Sequence, residues 1–271
     1  MDGSHKQEQE NKRVTEVKTF SVPFALEEIN QNITVSTISS SKPSKEQIIN
    51  QAIQFHLKGN IPEASKYYQY CINQGFTDHR VFSNYGVILK DLGNLQEAEL
   101  SYRKAIEIKP DYANAHSNLG NILRDLGKLQ DAELSYRKAI KLKPDLAEAY
   151  LNLGGILKNL GKLQDAKLST LKAIEIKPDV AEAHYKLGNI LSDLGKLQEA
   201  ELSTRKAIEL KPDFAEALWN LSLLQLLQGD YKNGLENYEF RFKQKPPAIV
   251  HGKTILKRFD SVTTQEIINI S

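Results

Sequence analysis

The chain has a single cysteine, Cys71, among its 271 residues. One thiol excludes an internal disulfide and a thiolate zinc cage, and it fits a reducing compartment. No apolar run approaches the roughly 20 residues that span a bilayer. The charged N-terminus MDGSHKQEQENKRVTEVK has no apolar core of a secretory signal. The expected location is therefore cytoplasmic, and Asn32-Ile33-Thr34, which has the form of a glycosylation sequon, is read as chance. Neither charge sign dominates: 36 basic side chains face 34 acidic ones, with a net charge of +2. That balance gives no general pull on nucleic acid or on an anionic membrane, and neither is expected as a partner. There is no phosphate loop, nucleophile elbow or carboxylate pair in a credible setting. His116 and His184 lie 68 residues apart, and no Cys/His/carboxylate cluster has ligand spacing. No metal, no cofactor and no catalytic residue is expected.

What the sequence does have is repetition. Prolines fall at 110, 144, 178, 212 and 246, and glycines at 59, 93, 127, 161, 195 and 229, each set spaced by 34. Six copies fill residues 45–248, at about 45–78, 79–112, 113–146, 147–180, 181–214 and 215–248. The first and last diverge most, as terminal repeats do. In the third copy, His116, Leu119, Gly120 and Leu123 form one helical stripe. Gly127 breaks that helix. A second stripe runs through Leu129, Ala132, Tyr136, Ala139 and Ile140 until Pro144 stops it. Asp145 and Glu148 then read as an N-cap with its capping-box partner, repeated at Asp179 and Asp213. Each unit is helix, turn, helix. Gly86, Gly120, Gly154 and Gly188 mark close helix approach, where a leucine would overpack by about 1–3 kcal/mol. The alanines at 98, 132, 166 and 200 form a second small set. Cys71 stands at a third alanine place and reads as an inert core thiol. Glu99–Arg103, Glu133–Arg137 and Glu201–Arg205 read as solvated pairs adding about 0.3–0.5 kcal/mol each.

A 34-residue unit with Leu-Gly, then Ala, Tyr, Ala and Pro in this order resembles the tetratricopeptide repeat (TPR) family. The resemblance implies an all-α, right-handed α-solenoid whose first helices line the concave side. One helix pair cannot bury its apolar faces alone, but a stack can.

The first helix carries an asparagine that packing does not explain. At 100° per residue, Asn114, Asn118, Asn121 and Asp125 lie opposite the Leu119 stripe. Through the six copies the Asn118 place reads Asn50, Asn84, Asn118, Asn152, Lys186, Asn220. Duplication explains the near-identical middle copies. It explains less well EQIINQAIQF, VFSNYGVIL and ALWNLSLLQ, whose neighbours differ while the asparagine stays. Asparagine is a weaker helix former than Glu, Lys or Gln by about a few tenths of a kcal/mol. Its amide donates and accepts at once, matching a peptide unit. The column, aided by Asn121 and Asn189, is the candidate site for an extended protein or peptide ligand. The structural alternatives are a solvated face, or asparagines that bond one another or the adjacent helix.

The wording NLGNIL, DLGKLQDAE, YRKAI and KPD resembles the TPR arm of protein O-GlcNAc transferases, and GDYKNGLENYEFRFK resembles its junction with a glycosyltransferase domain. That resemblance implies a substrate-holding asparagine ladder and a role as arm of a glycosyltransferase, truncated or acting with a separate catalytic partner. The carboxylate clamp of other TPR proteins is incomplete. Asn121, Asn152 and Lys186 fit three of its places, but Ser117 and Glu182 stand where it needs basic residues. Residues 1–44 are polar and read as a disordered leader, and 249–271 as a short tail. The last repeat, with Trp219, Tyr231, Tyr238, Phe240 and Phe242, reads as an apolar edge for a partner or for self-association.

Overall fold

The computed structural model describes residues 43–238; the expected leader up to residue 42, the end of the sixth copy from 239 and the expected tail 249–271 lie outside the described residues. Among the described residues there are twelve α-helices and no strand. They form six pairs: α1 (Lys45–Leu57) with α2 (Ile61–Asn73), α3 (His79–Asp91) with α4 (Leu95–Ile108), and α5 (Ala113–Asp125) with α6 (Leu129–Leu142). Then follow α7 (Ala147–Asn159) with α8 (Leu163–Ile176), α9 (Ala181–Asp193) with α10 (Leu197–Leu210), and α11 (Ala215–Leu227) with α12 (Tyr231–Tyr238).

The turn inside each pair follows from one glycine. Gly127 takes φ 74°, the left-handed region that a Cβ disfavours. Its N–H reaches the Arg124 carbonyl and the Lys128 N–H reaches back to Leu123, the paired bonds of a Schellman turn. The same geometry ends α3, α7 and α9. The link between pairs works differently. α6, α8 and α10 end one residue before a lysine and its proline, and the next helix starts at Ala147, Ala181 or Ala215. The caps are Leu146, Val180 and Phe214, none with a side-chain bond. Asp145 is thus not the N-cap: the proline-led turn takes it up, one position before the helix entry. Asp78 and Ser44 do cap, Ser44 through a full capping box with Gln47.

Helices pack within each pair and each second helix packs on the next first helix, so the pairs stack as a solenoid. Successive first helices also touch, α5 with α7, α7 with α9 and α9 with α11, which puts them on the inner wall. α5 consequently buries more than the one stripe read from the sequence. Ala113, Ala115, Ser117 and Ile122 are covered as well as Leu119, Gly120 and Leu123. Asn114, Asn118, Asn121 and Asp125 stay partly or fully open on one strip, and His116 and Arg124 are partly open at its flanks.

The small residues sit where the helices close. A Cβ on Gly120 would lie 2.8 Å from the Tyr136 ring, and one on Gly86 2.9 Å from Tyr102. On Gly154 and Gly188 it would collide with the hydroxyls of Thr170 and Thr204. Cys71 is fully buried, and burial pushes its thiol up to about 11.

Two charged features differ from the sequence reading. Glu99 and Glu133 are buried, not solvated. Each binds the arginine four residues on and also a lysine of the next repeat, Lys128 or Lys162, at 2.8 Å. They bracket adjacent repeats. His116 and His184 are half-buried, and each donates from Nε2 to the proline carbonyl six residues back, at 3.0 and 2.8 Å. They tie a helix to the turn that precedes it.

Candidate functional site: the asparagine column of the inner wall

The column residues occupy one place on successive first helices, 34 residues apart, on the strip left open by two-sided packing. Asn50 is exposed at the end of the stack; Asn84, Asn118, Asn152, Lys186 and Asn220 are half-buried. A second row runs beside it three residues on: Ile53, Val87, Asn121, Gly155, Asn189, Leu223. Helical spacing i to i+3 makes the two rows neighbours.

What each column amide does depends on that second row. Asn152 donates from Nδ2 to Asn121 Oδ1 at 3.0 Å, and Asn220 likewise to Asn189 Oδ1 at 2.8 Å. Both bonds join consecutive repeats. Asn84 and Asn118 follow Ile53 and Val87, which offer no acceptor. Asn84 lies near the Tyr68 hydroxyl, which pairs with His56 Nδ1 at 3.4 Å, and Asn50 lies near the Glu46 carboxylate, which Arg80 holds. Asn118 makes no side-chain hydrogen bond to any described residue. Lys186 is held by Glu182 on its own helix at 2.9 Å. That pair supplies no spare positive charge at the clamp place.

The column is thus neither wholly self-satisfied nor wholly free. Asn121 accepts from two donors, Asn152 and the Tyr136 hydroxyl at 2.7 Å. Asn152 and Asn220 spend one donor each and keep their carbonyl oxygens; Asn118 keeps its whole amide. The sequence reading took Tyr136 as packing only. Its ring is buried on Gly120, yet its hydroxyl fixes Asn121 at the groove. The signal was available: the place reads Tyr68, Tyr102, Tyr136, where phenylalanine would pack equally well without a hydroxyl. Burial raises the Tyr136 phenol well above its ordinary value, so it stays a donor at neutral pH.

In the last repeat, Trp219 and Tyr238 are half-buried and Tyr231 is exposed, while Phe240 and Phe242 lie outside the described residues. No described helix is long and apolar enough to cross a membrane.

Comparison with known families gives a TPR repeat description at residues 86–123 and 120–161, and tetratricopeptide repeats at 147–180 and 181–214. A search of curated proteins finds no match. Among solved structures, a Pseudomonas aeruginosa pilF structure has TM-score 0.65 at 16% identity, covering 75% of this chain and 93% of that one. YrrB, described as a TPR protein with an unusual peptide-binding site, has TM-score 0.56 at 22% identity, covering 68% and 94%. MamA has TM-score 0.55 at 25% identity, covering 59% and 94%. Residues 86–214 match tetratricopeptide-repeat families, and the twelve described helices stack in pairs as a solenoid of the TPR kind.

Proposed function

We propose that the chain is a non-catalytic TPR scaffold that binds an extended protein or peptide segment along its inner wall. The observation that carries this reading is the unused hydrogen-bonding capacity of the column, above all the free amide of Asn118 between Asn84 and Asn152. A half-buried amide with no internal partner adds nothing to the fold beyond what a better helix former would give. It can pair with both the N–H and the C=O of a strand laid across it. The repeat step sets the free carbonyl oxygens of Asn152 and Asn220 on the same column as the Asn118 amide, which suits an extended backbone more than a globular epitope. Asn121 and Asn189 act as supports, holding the carboxamides of Asn152 and Asn220 in place. Lys186, already paired with Glu182, interrupts the ladder.

The test uses peptides selected from a random library on the full chain, with affinity read by fluorescence anisotropy. The double variant Asn118→Ala with Asn152→Ala is expected to weaken binding about tenfold or more, at about 1 kcal/mol per lost amide contact. Unchanged affinity would reject the mechanism. The finer reading, a glycosyltransferase arm working with a separate catalytic partner, rests on the sequence resemblance alone. Sugar transfer to a bound peptide on adding such a partner would be its sign.

A further inference from the structure

The outer wall carries a second repeated feature. Leu100, Leu134, Leu168 and Leu202 stand 34 residues apart on α4, α6, α8 and α10, and each is 64–70% exposed. Singly exposed leucines are ordinary; a row of four in register on one face is not. Their place is not needed for the stack, since the second helices bury their alanines and Tyr or Thr residues instead.

The charges around the row are ordered too. One turn before each leucine stands an acid: Glu97, Asp131, Asp165, Glu199. One turn after each stands Lys104, Lys138, Lys172 or Lys206. Acid, leucine and lysine lie on one helical face, so the wall has an acidic row, an apolar row and a basic row side by side. Some of these charges have partners in the chain: Lys104, Lys172 and Lys206 bind the glutamate three residues on, and Glu199 binds Lys196. Around Leu134 they do not. Neither the Asp131 carboxylate nor Lys138 forms an ion pair with a described residue. Beside Leu134 an open groove lies between α4 and α6, with His116 and Leu119 lining it from α5. A knob and a groove therefore share one surface.

We infer that this wall pairs with a second copy of the chain. The pattern is self-complementary in one orientation. A two-fold axis along the leucine row sets α6 antiparallel to its mate, with Leu134 on Leu134, Asp131 on Lys138 and Lys138 on Asp131. The alternative two-fold, parallel to the helices, sets acid on acid and lysine on lysine and is repelled. An isologous contact of this kind closes as a dimer. The apolar row drives association, and the flanking rows fix the orientation.

Sedimentation of the full chain at concentrations up to about 100 µM tests the inference. A dimer is expected, converted to monomer by Leu134→Glu with Leu168→Glu at unchanged helix content, with a melting temperature that no longer rises with protein concentration. Asp131→Lys and Lys138→Glu should each weaken the dimer about tenfold, and the two changes together should restore it. A wild-type monomer overturns the inference. So does a dimer indifferent to the leucine changes, or one that the combined charge swap fails to restore.

Discussion

Repeats two and three differ from repeats four and five in what fills the space between their helices. The residue packed on the helix-closing glycine is Tyr102 or Tyr136 in the first region and Thr170 or Thr204 in the second. The tyrosine rings are buried at the centre of a continuous apolar core that begins at Ile49 and thins through repeat four to its last member, Ile190. The threonines turn their hydroxyls back on their own helix, at Ala166 and Ala200. Beside that core, the later repeats also hold two small separate groups, Leu187, Leu191, Ala200 and Leu224, and Leu151, Ala173 and Ala183. The bracket between repeats changes at the same point. Glu99 and Glu133 reach Lys128 and Lys162, but the next pair in register is Lys167 and Lys196, which cannot attract. Near-identical repeats therefore need not be equally stable, because two positions out of 34 alter both the packing and the charge between neighbours.

The largest effect expected from this contrast is on truncation. Tyr136→Ala should cost about 3–5 kcal/mol, as removal of a buried ring does. Thr170→Ala should cost about 1 kcal/mol, one side-chain hydrogen bond. Equal losses by urea unfolding would erase the distinction between the regions. Next, amide exchange should be slower in α3 to α6 than in α8 to α10, since local opening follows the continuity of buried contacts. Mass-resolved exchange of peptic fragments would show it.

A smaller effect concerns the brackets. Lys162→Ala should cost about 0.5–1 kcal/mol at neutral pH, and Lys196→Ala close to nothing. Hydrogen bonds from Lys162 and Arg137 hold the Glu133 carboxyl below its ordinary value. For Glu99, burial works to raise it and the bonds from Lys128 and Arg103 prevail, so it too is lowered. A lowered carboxylate adds stability that is full above the unfolded value, 4.5 here, and that is lost as pH falls through the folded one. The gap between the two lysine variants should therefore close on acidification, which melting curves across that range would record.

The 34-residue period, the turn glycines and the small packing residues were all legible, because each reflects a local steric demand. The inter-repeat turn was read less well. Asp145 sits three residues before Glu148, as a capping box requires, yet the turn at Pro144 moves the helix start past it. Glu133 was misread because a helical wheel shows its i+4 partner Arg137 but not Lys162, which another repeat brings near. The asparagine column was visible as a column. Which of its members are tied, and by what, depends on the row beside it: Asn121 and Asn189 accept, whereas Val87 cannot. That is information about stacking, which a single helix does not contain.

The central claim is that the column holds a ligand's backbone and is not there for the fold. Asn118 and Asn152 separate the two roles, since one has no internal bond and the other bonds Asn121. The decisive measurement is peptide affinity together with melting temperature for each single alanine variant. Asn118→Ala should lower affinity and leave stability unchanged, while Asn152→Ala should lower both, its stability by about 1 kcal/mol. If Asn118→Ala leaves affinity intact, or lowers stability as much as Asn152→Ala does, the column serves the solenoid and the account is wrong.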